Sequence, residues 1–139
     1  MSAQPIQPGH QAASSAVKLD EHGLPEGYPL KPDWEVTPRL VKAMLDAQED
    51  LVLIDCRTPQ EHQVARIDQG VLIPMQELAS RMDELAPHAE SKVVVFCHRG
   101  GRSLRVTAML REHGFDDVYS MAGGIDLWAL DVEPSTPRY

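Results

Sequence analysis

Seven consecutive residues, Cys97, His98, Arg99, Gly100, Gly101, Arg102 and Ser103, bring together a thiol, an imidazole, two guanidinium groups, two glycines and a hydroxyl. They follow the apolar run KVVVF and precede the helical pattern SLRVTAML, so they form a strand-to-helix turn that carries a nucleophile. A helix start offers N–H groups with no carbonyl one turn back, together with a partial positive charge. Glycines let such N–H groups converge into an anion nest. A thiol at the base of the nest is driven toward thiolate, from about 8.5 to roughly 3.5–7.5. Arg99 and Arg102 add charge that persists at any working pH. The expectation is a thiolate facing solvent in a pocket built for anions. A lone cysteine at a strand end more commonly just fills space; the glycines, arginines and helix start argue for chemistry here.

Two thiolate chemistries suit such a loop, sulfur transfer and phosphoester hydrolysis. Cysteine phosphatase loops have the spacing C-x5-R, usually with His before the Cys. Here Phe96 precedes Cys97, Ser103 stands six residues on, and Arg102 comes one place early. A shorter ring of N–H groups suits a smaller object, such as the outer sulfur of a persulfide, better than a phosphoryl group. No obvious acid follows to protonate a leaving alkoxide.

The rest of the composition narrows the setting. A chain of 139 residues suits one domain with a tail or two. The net charge of −8 argues against nucleic acid or anionic membrane as a general partner. Residues 92–113 nevertheless hold five Lys/Arg and one acid, so positive charge is kept around one cysteine. Two cysteines allow at most one disulfide, and nothing else resembles a secreted scaffold; reduced thiols and a cytoplasmic location are expected. No apolar run is long enough to span a membrane. Residues 1–17 lack the basic and apolar regions of a secretory signal.

Residues 1–32, rich in Gln, Ser, Pro and Gly, read as a flexible or irregular N-terminal segment, and residues 33–139 as the domain with its C-terminal tail. EVTP predicts a short strand and then a helix capped by Thr37 with Pro38 first, its apolar stripe Leu40, Val41, Met44 and Leu45. LVLID, VLIP, KVVVFC and DVYS read as strands. QELASRMDEL reads as an amphipathic helix with Leu78, Met82 and Leu85 on one face. A well-buried helix runs from Arg102 to His113 and is closed by Gly114. A short helix with Ile125, Leu127, Trp128 and Leu130 follows Gly123-Gly124. Strands and helices alternate, and the strands are continuous apolar runs. The fold class is therefore α/β, with a mainly parallel central sheet and helices on both faces. In such sheets ligands sit beyond the carboxyl ends of the strands, where Cys97 and Asp55 both fall.

At this level the chain resembles the single-domain rhodaneses. LIDCRTPQEH resembles that family's strand-end D-x-R followed by an acid, VLIPMQEL its next strand, proline and helix, and CHRGGRS its loop C-x-x-G-x-R-S. MAGGIDLW resembles its GG-x-x-x-W segment and PSTPRY a tail often found after it. The match runs from about Glu35 onward. The resemblance implies a rhodanese-like fold and a cofactor-free thiosulfate sulfurtransferase. Cys97 would attack the outer sulfur of a small donor, thiosulfate or a persulfide, and become a persulfide. A thiol, or cyanide, would then accept the sulfur, with an acceptor protein as a further partner. Carried over by position, Cys97 is the nucleophile and the backbone of His98, Arg99, Gly100, Gly101, Arg102 and Ser103 holds the persulfide. Arg99 is the candidate for gripping an anionic donor. Arg102 braces the loop, against Asp55, while Arg57 and Glu61 form a neighbouring ion pair. One stretch departs: in ARIDQGV, Arg66 replaces the usual His and Gln69 a usual Gly, which bears on substrate shape near the rim.

Cys56 stands where Val is usual and is read as core filling beside Asp55, with a resolving thiol as the alternative. Asp55, Arg57 and Glu61 are read as structural supports, and His98 as an exposed loop residue contributing its N–H. Trp34 and Trp128 are read as packing residues. No metal site is expected, because Cys56, Cys97, His62 and His98 lack ligand spacing. Two other functions fit the residues: a module that holds sulfur for one partner without turnover, and an arsenate reductase or phosphatase on a related loop.

Overall fold

The computed structural model describes residues 17–139. Five short strands form one sheet in the order Glu35–Val36, Val118–Met121, Lys92–Phe96, Leu51–Asp55, Val71–Leu72, and each neighbouring pair runs parallel. In chain order the elements are β1 (Glu35–Val36), α1 (Pro38–Asp46), β2 (Leu51–Asp55), α2 (Pro59–Val64) and β3 (Val71–Leu72). A run of single turns then leads to β4 (Lys92–Phe96), α4 (Gly101–Glu112), β5 (Val118–Met121) and α5 (Gly124–Asp131). The run contains α3 (Met82–Leu85).

Strand β4 is the centre, with Val93, Val94, Val95 and Phe96 all at 0% exposure. Alternate residues feed two cores, because strand side chains have a period of two. On one face Ile54, Val93 and Val95 pack with Leu78, Leu85, Val106 and Leu110, and Cys56 and Cys97 belong to this cluster. On the other, Leu53, Val94 and Phe96 pack with Val41, Met44, Ile125 and Trp128. Helices therefore cover both faces, as the uninterrupted apolar strands require.

Helix α1 begins as the sequence dictates. Thr37 accepts the Leu40 N–H at 3.1 Å, and Pro38 occupies the first turn. The buried stripe is narrower than expected: Val41 and Met44 face the core, whereas Leu40 is 48% exposed. Leu40 lies about 100° around the helix from Val41, toward solvent. Helix α2 has no counterpart in the expected elements. It is capped by a reciprocal pair, Thr58 accepting the Glu61 N–H and Glu61 the Thr58 N–H.

The expected amphipathic helix over residues 76–85 is corrected. The chain makes 3-10 turns at Met75–Glu77 and Ala79–Arg81, the four-residue α3, and a further 3-10 turn at Ala86–His88. Pro74 and Pro87 bracket the stretch and deny it N–H donors, and Arg81 leaves helical geometry at φ −114°. Its guanidinium ties the turns together through Glu77, Glu84 and the Leu72 carbonyl. The inward positions survive, with Leu78 at 0% and Leu85 at 3% exposure.

Residues 17–32 are irregular yet packed. Leu24 is buried against Ala122 and Leu127, and buried Glu35 accepts the Tyr28 hydroxyl and the Lys31 N–H. The remainder of the N-terminal segment, residues 1–16, lies outside the described residues.

Leu78→Ala leaves a cavity under the turns. It should cost about 2–5 kcal/mol in urea unfolding. A loss well below 1 kcal/mol would show that the turns do not depend on this anchor.

Candidate active site

The β4–α4 loop curls over its own cysteine. Cys97 Sγ lies 3.0 Å from the Gly100 N–H, 3.4 Å from that of Ser103 and 3.5 Å from Ser103 Oγ. The turn depends on Gly100, which has φ +111° and sits immediately before α4. Ser103 Oγ in turn lies 2.7 Å from Ser120 Oγ on β5. When the Ser103 hydroxyl turns its proton to the sulfur, Ser120 can donate to Ser103 in its place.

The expectation of a solvent-facing sulfur is corrected, because Cys97 is only 1% exposed. The donors that stabilise the anion draw the loop down over it. Cys56, also buried, stands beside Cys97 in the β2–β4 register. The neighbouring Cys56 thiol, then the Ser103 hydroxyl and the N–H groups of Ser103 and Gly100, bring the Cys97 pKa down to about 4 against the opposing effect of burial. The Cys97 sulfur beside it, followed by burial, holds Cys56 far above the ordinary thiol range. Cys97 is thus a thiolate at neutral pH and Cys56 a thiol.

Below the loop the ion pairs are partnered otherwise than expected. Asp55 takes the Arg57 backbone N–H at 3.0 Å and its guanidinium at 2.8 and 2.7 Å, and both side chains are at 0% exposure. Arg102 grips Glu61 through two parallel bonds of 2.7 and 2.9 Å. So Arg102 braces the loop against Glu61, and Asp55 belongs to Arg57. Two facts explain the exchange. The carboxylate at the end of β2 points inward, within reach of a guanidinium two residues on. Glu61, on α2, faces the first turn of α4. Arg102 is the main reason that Glu61 stays well below the usual carboxylate range.

Three further residues join this network without having been singled out for it. His62 Nδ1 lies 2.9 Å from Asp55 Oδ2. The Tyr139 hydroxyl bonds Glu61 Oε2 at 2.7 Å and Arg57 at 2.9 Å, and Ser120 backs Ser103. His62 stands in register with Asp55 only because α2 folds back over β2. Ser120 is reached only through sheet order, which sequence spacing does not reveal. His98 is half-buried rather than an exposed loop residue: its ring stacks on Tyr139 at 4.0 Å and 9°, and Nε2 is buried with no hydrogen-bond partner.

The carbonyls of Cys97 and His98 are held from outside the loop. The Ile125 and Asp126 N–H groups at the start of α5 bond them at 2.9 and 3.1 Å. A Cβ on Gly124 would collide with both carbonyls, so the close approach requires glycine. Trp128 is buried in the opposite core and serves packing. Arg99 is exposed beside a shallow, mainly apolar depression with Pro25, Leu127 and Leu130. Arg66 lines a polar cleft with Gln63, Asp68 and Glu133. No helix among the described residues is long and apolar enough to cross a membrane.

The site is thus a parallel α/β domain's strand-end loop that seats the Cys97 sulfur among backbone N–H groups. The chain belongs to the rhodanese-like family: the Rhodanese-like domain model matches residues 37–131. It is 33% identical over 95 residues to a sulfurtransferase of Allochromatium vinosum, covering 68% of this chain and 87% of that protein. It is 30% identical over 118 residues to the adenylyltransferase and sulfurtransferase MOCS3 of Arabidopsis thaliana, covering 75% of this chain but only 25% of that protein. The chain thus spans about a quarter of the length of the multifunctional relatives it matches. Among solved structures it resembles a thiosulfate sulfurtransferase from Pseudomonas aeruginosa, with a TM-score of 0.64, 32% identity, and coverage of 71% of this chain and 19% of that one. A rhodanese-like domain protein from Staphylococcus aureus shares the fold at 22% identity with a TM-score of 0.65, covering 76% of this chain and 98% of that one.

Because Cys97 ionises near 4, its alkylation by iodoacetamide should be flat from about pH 6 upward and fall about tenfold per pH unit below 4. Mass spectrometry of the modified peptide follows it. A rate still climbing through pH 8 would show an ordinary thiol. Arg102→Lys removes the two-pronged grip on Glu61. It should raise that midpoint and slow alkylation at pH 5; an unchanged profile would show that the brace does not set loop geometry.

Proposed function

We propose that the protein is a sulfurtransferase that moves sulfane sulfur from thiosulfate or a persulfide donor to a thiophilic acceptor through a persulfide on Cys97. The observation that carries this reading is the convergence of the Gly100 and Ser103 N–H groups on the Cys97 sulfur. The thiolate attacks the outer sulfur of thiosulfate, a new S–S bond forms and sulfite leaves with the electron pair of the bond that breaks. The negative charge then rests on the outer sulfur. The first-turn N–H groups of Gly101 and Arg102, which have no helical carbonyl to bond, would receive it. A thiol or cyanide takes the outer sulfur and returns the thiolate to its cradle. Arg99, exposed next to the loop, is the residue to attract a dianionic donor.

The depth of Cys97 supports a second reading, a carrier that exchanges sulfur with one acceptor protein and turns over poorly with small molecules. Steady-state turnover with thiosulfate and cyanide separates the two. Phosphoester or arsenate chemistry is the third. The one-residue-shorter loop disfavours it, and hydrolysis of an aryl phosphate would revive it.

Intact mass after incubation with thiosulfate should show one added sulfur, located on Cys97 and removed by cyanide. No adduct with any sulfur donor would refute the reading. Cys97→Ser should abolish transfer with the fold intact by circular dichroism. Arg99→Ala should raise KM for thiosulfate about tenfold, the effect expected of losing one charge-assisted contact of roughly 1.5 kcal/mol. It should leave KM for an uncharged persulfide donor almost unmoved, and equal effects on both donors would show that Arg99 does not sense charge.

A further inference from the structure

The two cysteines of this chain are brought side by side by strand register. Asp55 pairs with Phe96 in the parallel β2–β4 ladder, so the next residues, Cys56 and Cys97, are lateral neighbours. The ladder still holds at that point, since the Cys56 N–H bonds the Phe96 carbonyl at 3.1 Å. On its other side the Cys56 carbonyl takes the Met75 N–H at 3.0 Å, which fixes the backbone from both directions. Both side chains enter the same core, following Ile54 and Val95 two residues earlier on the same face. Neighbouring strands lie about 4.8 Å apart, and disulfides form across Cα separations of roughly 4.4–6.8 Å. Both cysteines are free and lie in the same buried cluster.

We infer that Cys56 is a resolving thiol that, in the absence of an acceptor, displaces the sulfur carried on Cys97 as hydrosulfide and closes a Cys56–Cys97 disulfide. The inference rests on the persulfide reading above. Once Cys97 carries sulfane sulfur, the negative charge moves to the outer atom and Cys97 Sγ becomes an electrophile beside Cys56 in the strand register. The Cys56 sulfur attacks Sγ, and the Sγ–S bond breaks toward the outer sulfur. The Cys56 thiol proton leaves with it: Cys56–SH plus Cys97–S–S⁻ gives the disulfide plus HS⁻. The Cys56 sulfur is oxidised to the disulfide level while the outer sulfur is reduced to sulfide. A dithiol reductant returns both cysteines to the starting state. The domain would then have two exits for sulfur, delivery to a thiophile and release as sulfide. The second exit would be closed to a protein with an aliphatic side chain at this position.

The test loads the full chain, reduced and freed of reductant under anaerobic conditions, with thiosulfate in one arm and inorganic tetrasulfide in the other, without acceptor. The expected course is gain of one sulfur, followed by its loss together with two hydrogens. One hydrosulfide should be released per chain, and the tryptic peptides spanning residues 43–57 and 93–99 should be cross-linked. Cys56→Ser keeps a hydroxyl donor toward Cys97 but cannot close the disulfide. It should retain the persulfide and release sulfide at least about tenfold more slowly, as expected when an adjacent thiol is replaced by solvent. A wild-type persulfide that persists with no cross-link overturns the inference and leaves the proposed function standing. Sulfide release from Cys56→Ser at the wild-type rate also overturns it, because another nucleophile would be responsible. Absence of added sulfur with both donors overturns the inference and the function together. The peptide cross-link is read on the wild-type chain, so the test does not depend on the variant folding.

Discussion

The N–H groups of Gly100 and Ser103 reach Cys97 Sγ only because the chain reverses within a few residues of the end of β4, and every neighbouring element serves that reversal. Gly100 supplies a backbone conformation that other residues resist. Helix α5 anchors the loop from one side by donating Ile125 and Asp126 N–H groups to the Cys97 and His98 carbonyls. Glu61 anchors it from another by holding Arg102 with both carboxylate oxygens. The glycine pair that begins α5 and the acid on α2 are distant in sequence from the cysteine. Their shared task is to keep a ring of N–H groups closed around one sulfur.

The energetics of that sulfur explain why hydrogen bonds matter more here than cations. A buried anion is costly unless it is paired or hydrogen-bonded, and Cys97 is all but inaccessible. Burial alone would make it a poorer acid. Its depressed pKa means that its hydrogen-bond donors outweigh desolvation. The foremost of those donors is the Cys56 thiol, not either arginine of the loop. The arginines divide other work between them. Arg102 is committed to Glu61, and Arg99 is exposed. The positive charge clustered in this acidic chain therefore braces the loop through Arg102, while neutral donors hold the Cys97 sulfur.

Much of this was legible in the sequence, and the gaps have physical causes. The uninterrupted apolar runs at Leu51–Asp55 and Lys92–Phe96 imply a sheet covered on both faces, and Thr37-Pro38 marks the start of α1. Thr58-Pro59 with Glu61 carried the same kind of signal for α2, in capping-box form, but the helix is too short to show periodicity. The turns after Pro74 kept the apolar spacing of a helix, Leu78 to Met82 to Leu85, without helical hydrogen bonding throughout, since periodicity reports which side chains face inward and not which carbonyl each N–H meets. The exchange of partners among Asp55, Arg57, Glu61 and Arg102 was beyond sequence reasoning for a related reason. Charge complementarity allows either pairing; only the inward direction of Asp55 and the position of α2 over α4 select one.

Parallel register itself gives Cys56 its importance. In a parallel sheet two strand ends meet side by side, and ligands gather beyond them, so the residue one past Asp55 stands beside the residue one past Phe96 whatever their types. An aliphatic residue there would leave the thiolate with backbone and serine donors alone. A thiol adds a donor whose proton can also be given up. Donation and nucleophilic attack are two states of one sulfur, and the charge on Cys97 selects between them. While Cys97 is a thiolate, its charge keeps Cys56 protonated. In the proposed persulfide, where the charge would sit on the outer sulfur, that restraint would weaken. Both behaviours follow from one juxtaposition, which the backbone on either side of Cys56 holds in place.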